Sequence, residues 1–201
     1  MISNLVRKKI SRISTTNSVF FQCDIQGVFE KLVHKMPIVV KNTERMAKAA
    51  GIFGIPLLVT EQTPDKLGHT LESIQKVYPP DTPVIHKTSF SMMNDEVTEY
   101  FKSLNRDTVV LYGIETHVCV QQTALDLSAM GVKVHLITDC VSSTCPHKRA
   151  TAIKRMTQAG VYMTTFEACM FEIMRDCNHE KFKDILKHVL KDNPKDTFEV
   201  V

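Results

Sequence analysis

TVVLYGIETHVCVQQTALDLSAMGVKVHLIT, residues 108–138, is the stretch on which the fold turns. It opens on an apolar run at 108–113 and passes through a polar turn into apolar residues at helical spacing over 117–130. After Gly131 it closes on a second apolar run at 132–138. Short runs that are apolar on both faces fit strands buried from both sides, and a strand–helix–strand unit of this length fits a parallel pair joined by a crossover helix. The same alternation extends outward. Strand runs fall at 18–24, 55–60, 83–87 and 161–166, and helical patterns at 37–53, 94–104, 146–159, 166–177 and 179–191. Gly51, Gly54, Gly131 and Gly160 stand where helices should stop, and Pro146 suits a first helical turn. The pattern predicts an α/β domain of three layers, α/β/α, around a mainly parallel sheet of about six strands. No repeat or linker divides the chain, so residues 1–201 read as one domain.

Composition narrows the function classes. Apolar residues at 43% and charged residues at 23% are the proportions of a chain with a core, not of a disordered one. No apolar run approaches the ~20 residues of a membrane-spanning helix, so no membrane partner is expected. A net charge of +3 is too mild for a strong nucleic-acid reading. Residues 1–15 hold four basic side chains, and Asp24 is the first acid. That segment reads as a targeting sequence or a solvated basic tail, and the chain as cytoplasmic or mitochondrial. Six cysteines without a secretory signal read as reduced thiols.

In open parallel sheets, ligands bind beyond the carboxyl ends of the strands. The chain sends Asp24, then Glu61 and Gln62, then Lys87, then Cys119 and then Asp139 to that edge. A thiol at a helix start beside an ammonium is favoured as thiolate by charge attraction, and a carboxylate can take and return its proton. Plainer readings exist for each: Cys119 as a small buried residue, Asp24 as a cap, Glu61 as a loop cap and Lys87 as a solvated lysine. His117 stands two residues from Cys119, a spacing that does not bring side chains together on a helix, and reads as structural. His117, Cys119, Cys140, Cys145 and His147 lack the paired spacing of structural zinc sites, and neither a dinucleotide fingerprint nor a P-loop is present. No cofactor and no metal are expected.

At these residues the sequence resembles the isochorismatase-like cysteine hydrolases, a Rossmann-like superfamily that includes nicotinamidases and N-carbamoylsarcosine amidase. The resemblance rests on CDIQGVF at 23–29, HKTSFS at 86–91, GIETHVCVQQTALDL at 113–127 and ITDCVSS at 137–143. LLVTEQTPDKLG at 57–68 is similar to the animal isochorismatase domain-containing proteins, one of which is mitochondrial. The resemblance implies Asp24 as general acid and base, Lys87 as the cation beside the thiolate and Cys119 as nucleophile. It implies a cis peptide between Ile114 and Glu115, an oxyanion hole from the backbone of Glu115 and Cys119, and a pocket lined by Gln26, Phe29, Glu61, Gln62, Phe90 and Ile114. It also implies a homo-oligomer, a dimer or tetramer. Metal-containing relatives carry an Asp-x-His pair after the second strand, where this chain reads TEQTPDKLGHT with His69 alone, so a metal is not carried over. Retention of Cys119 points to acyl C–N cleavage. The expectation is a cysteine hydrolase of small amides; the alternatives are a catalytically idle binding protein and, through the basic segment, a nucleic-acid-associated one.

Overall fold

Among the described residues, six strands lie side by side in one sheet: β1 (Ser18–Cys23), β2 (Leu57–Gln62), β3 (Val84–Lys87), β4 (Thr108–Ile114), β5 (Lys133–Ser142) and β6 (Tyr162–Thr164). Their order is β3-β2-β1-β4-β5-β6 and every pairing is parallel. The computed structural model describes residues 10–191 together with Pro194 and Phe198. The chain builds outward from β1 in one direction and from β4 in the other, so the crevice between the carboxyl ends of β1 and β4 is the topological switch point. Both strands are buried along their whole length. Fully buried Phe20, Phe21, Val110, Leu111 and Leu136 supply the core there, each contributing about 1.5–3 kcal/mol by leaving water.

The crossover helices are α1 (Met36–Phe53), the single-turn α2 (Pro64–Leu67) and α3 (Glu72–Gln75), α4 (Asp95–Ser103), α5 (Gln121–Ala129) and α6 (Pro146–Gln158). They are followed by α7 (Phe166–Met174) and the short α8 (Phe182–Ile185), which runs into a π turn at Leu186–Leu190. α1 packs against α7 and α8 on one face of the sheet, and α5 packs against α6 on the other. The Phe101 ring of α4 meets Phe21 of β1 edge-on, with centroids 5.8 Å apart. Asn94 caps α4 by accepting from the Val97 N–H, and Pro146 occupies the first turn of α6.

Several elements depart from the sequence pattern. Gly51 lies inside α1, which ends at left-handed Gly54. β5 continues to Ser142 instead of stopping at 138, because its register against β4 shifts between Leu111 and Gly113 and pairing resumes beyond the irregularity. Asp139 is therefore inside a strand, where its Oδ1 accepts from the Phe166 N–H at 2.7 Å and ties down the start of α7. The helix expected from 117 begins as a single π turn, Thr116–Val120. α7 stops at Met174, where Arg175 adopts a positive φ of 60°. Of the basic segment 1–15, residues 1–9 lie outside the described residues. The remainder is not a free tail: Ile13 is buried, and Ser11 Oγ lies 2.8 Å from His135 Nε2. Among the described residues, no helix is long and apolar enough to cross a membrane.

Candidate active site

Asp24 is the first residue beyond β1, and its left-handed φ of 49° turns the chain out of the strand. An aspartate tolerates that conformation better than a branched residue does. Its side chain is buried and held on both oxygens. Thr60 Oγ1 donates to Oδ1 at 2.7 Å, and Lys87 Nζ sits 2.6 Å from Oδ2. Lys87, the last residue of β3, has no exposed side-chain surface. Its Nζ also donates to Gln62 Oε1 at 2.7 Å and to the Ser89 and Phe90 carbonyls at 3.1 Å each. Burial pushes the Lys87 ammonium down, but the acidic groups of Cys23, Asp24 and Cys119 around it, with the Asp24 hydrogen bond, outweigh burial and hold it above its ordinary value. A buried charge of this kind is tolerated only when paired and hydrogen-bonded, as this one is.

Cys119 lies within the π turn that joins β4 to α5, and is 7% exposed. Its Sγ, an Asp24 carboxylate oxygen and Cys23 Sγ all fall within 4.8 Å of one another. The carbonyl of Cys119 accepts from Thr123 Oγ1 at 2.7 Å, and that hydroxyl in turn accepts from the Met92 N–H at 2.9 Å. The start of α5 is thus fastened to the loop after β3, which brings the thiol and the ammonium to one place. The Ile114–Glu115 peptide is cis. Cys23 Sγ donates toward Asp24 Oδ2 at 3.5 Å; burial, the contact with Cys119 and the Asp24 charge push its thiol up.

The approach of β1 to β4 depends on Gly113. A Cβ there would stand 2.1 Å from the Cys23 carbonyl oxygen, at a φ of +121°. A cavity of about 470 Å³ opens at the ends of β2 and β3, with Thr63, His86, Lys87 and Ser89 in its wall.

The remaining expected residues divide. Gln62 reaches Lys87. Gln26 is fully buried and spends its amide on backbone, with Oε1 accepting from the Gln62 N–H at 2.8 Å and Nε2 donating to the Gln62 carbonyl at 3.0 Å and to the Gly68 carbonyl. Ile114 and Phe29 belong to a small apolar cluster with Ile25 and Met36. Phe90 is exposed beside the Lys87 loop. Glu115 turns its carboxylate to the Thr144 N–H at 2.8 Å, and His117 places Nδ1 3.1 Å from Ser143 Oγ. Glu61 is separated from the others. Side chains alternate along a strand, so Glu61 faces away from Gln62 and Lys87 and bonds His69 and Thr70. Asp139 is likewise engaged elsewhere, at the start of α7. Two contributors escaped the sequence reading, Cys23 and Thr60. They are register partners across β1 and β2, and a hydroxyl two residues before Gln62 on the same strand face was the available signal.

Residues 18–168 match the model of the Isochorismatase domain. The chain is 39% identical to the secreted isochorismatase effector Isc1 of Phytophthora sojae, over 90% of this chain and 88% of that protein. It is 36% identical to isochorismatase domain-containing protein 2 of Xenopus laevis, over 93% and 90% of the two chains. Among solved structures, the MAR1 ribonuclease from Caenorhabditis elegans superposes with a TM-score of 0.90 at 39% identity, covering 95% of this chain and 98% of the other.

Proposed function

Because this chain belongs to the isochorismatase family of hydrolases, we propose that it cleaves the C–N bond of a small amide through a thioester on Cys119. The observation that supports this reading best is the buried Lys87–Asp24 pair at 2.6 Å, with the Cys119 thiol within 4.8 Å of the carboxylate. Cys119 Sγ attacks the carbonyl carbon and its proton passes to Asp24. The tetrahedral oxyanion faces the backbone N–H groups of Glu115 and Cys119. On collapse the C–N bond breaks, Asp24 delivers the proton to the departing amine, and the acyl group remains on sulfur. Water then attacks the thioester, giving a proton to Asp24, and the acid leaves as the thiol is restored. Throughout, the Lys87 ammonium neutralises whichever acidic group carries the negative charge, and general acid–base transfer of this kind contributes about 10²–10⁴ in rate.

A panel of small amides and ureido compounds tests the reading, with wild type compared against Cys119→Ala. The expected outcome is hydrolysis by wild type, a fall of at least about a thousandfold in kcat/KM on loss of the thiol, and a mass adduct on the Cys119 peptide. Turnover that survives Cys119→Ala overturns the nucleophile. The name of the C. elegans relative motivates RNA as a second substrate class. RNA cleavage by both wild type and Cys119→Ala, with no amide hydrolysed, would favour that reading, and inertness toward both panels would favour a binding protein of this fold.

A further inference from the structure

On the face of β2 and β3 turned away from Cys119, three side chains converge. Glu61 and His86 are register partners across the two strands. His69 reaches them from the loop after α2. His69 Nδ1 lies 2.8 Å and His86 Nε2 3.5 Å from the same carboxylate oxygen, Glu61 Oε2, and all three donor atoms fall within 4.8 Å of one another. Glu61 is only 2% exposed, whereas the two imidazoles are open to solvent. The other oxygen of Glu61 accepts from the Thr70 N–H at 2.7 Å, which fixes the plane of the carboxylate. Beside the cluster lies a cavity of about 400 Å³, with Gln75, Tyr78 and Val84 in its wall.

We propose that Glu61, His69 and His86 form a binding site for a divalent transition metal, with Zn²⁺ the best fit. A His69–Glu61 hydrogen bond accounts for one of the two close approaches. It does not account for a second imidazole nitrogen 3.5 Å from the same oxygen. Around a tetrahedral zinc with bonds of about 2.0–2.2 Å, donor atoms stand about 3.3 Å apart, and the 2.8 and 3.5 Å separations bracket that value. Two imidazoles with one carboxylate suit Zn²⁺, whereas Ca²⁺ and Mg²⁺ prefer oxygen alone. Three protein ligands would leave a fourth position available to water or a small anion, and all three line the cavity. The Thr70 hydrogen bond is the outer-shell contact such sites use to orient a ligand. The set is not the Asp-x-His pair of metal-containing relatives: its second histidine comes from β3, 25 residues after Glu61 and directly before Lys87. A count of ligands along the second-strand loop alone therefore misses it. The metal would pin the ends of β2 and β3, whose next residues, Gln62 and Lys87, face the candidate active site from the other side.

The site does not depend on the proposed amide chemistry, and metal binding tests it directly. EDTA-stripped, reduced chain is titrated with Co²⁺ as a spectroscopic probe and with Zn²⁺ against a chromophoric chelator. The expected result is one equivalent bound, with a cobalt spectrum free of thiolate-to-metal charge transfer and a Zn²⁺-induced rise in melting temperature. His69→Ala and His86→Ala should each weaken binding by at least about 10–100-fold, and the solvent-exposed His147→Ala should leave it unchanged. Absence of stoichiometric binding overturns the proposal. So does binding that persists in the His69→Ala/His86→Ala chain, or binding that shows thiolate charge transfer and vanishes in Cys119→Ala, which would assign the metal to the Cys23, Asp24 and Cys119 cluster instead.

Discussion

The pairing of Lys87 with Asp24 sets the energetics at the level of single side chains. Removing one partner of a buried pair strands the other, so Lys87→Met should lower stability by about 3–5 kcal/mol in urea titrations. The double change Asp24→Asn/Lys87→Met removes both charges and should recover part of that loss. A double variant less stable than the single one would mean that shape, not charge, governs the position. Asp24, Lys87 and Cys119 were legible because each follows an apolar run and belongs to a motif. Glu61 and Gln62 show where legibility ended. The two are adjacent in one strand, and alternation alone sends them to opposite faces, yet both look like loop residues until β2 is seen to extend through Gln62. The partners of Asp24 were illegible for a different reason. Thr60 meets it through strand register, which depends on how β1 and β2 slide against one another and which alternation within β2 does not fix, whereas Cys23 is its neighbour along the chain.

Elements succeed or fail here by how closely they approach. β1 and β4 touch at Gly113, where a methyl group would enter the Cys23 backbone. Backbone cannot rotate aside as a side chain can. Gly113→Ala should therefore cost more than the 1–3 kcal/mol typical of an overpacked core, about 4 kcal/mol or more, read from the chemical denaturation midpoint. Gly131→Ala is the control, since nothing lies within 4 Å of its Cβ position, although its positive φ carries a smaller strain. A loss at Gly113 no larger than at Gly131 would show that the strands can part. The six strands and their helices were legible from the alternation of apolar runs. The continuation of β5 to Ser142 was not, because Thr138 and Asp139 look like a polar strand end. Only the register shift against β4 reveals that pairing resumes after them.

At the scale of the whole molecule, protonation couples to folding through His135. Its ring is buried, stacked on Tyr162 with centroids 4.8 Å apart and bonded to Ser11, and burial holds it below its ordinary value. The folded ring thus stays neutral in a range where the unfolded one takes up a proton. Stability should fall as pH drops from about 6.5 toward the folded value, with a slope of at most about 1.4 kcal/mol per pH unit for one proton. Thermal midpoints recorded from neutral to mildly acidic pH should show that slope in wild type and a shallower one in His135→Gln. Equal slopes would place the linked proton elsewhere.

β3 is a four-residue strand at the margin of the sheet, paired among the described residues with β2 alone, and the ammonium that faces Asp24 is carried on its last residue. Such an edge can detach without dissolving the sheet, at a free energy well below that of global unfolding. The protein should then have two lifetimes, one for its architecture and a shorter one for its charge arrangement. In mild denaturant, the fraction of molecules with Lys87 swung into solvent should outgrow the unfolded fraction. Backbone amides of β3 should exchange with deuterium sooner than those of β1 and β4, and any Cys119-dependent activity should fade while the far-ultraviolet circular dichroism is still native.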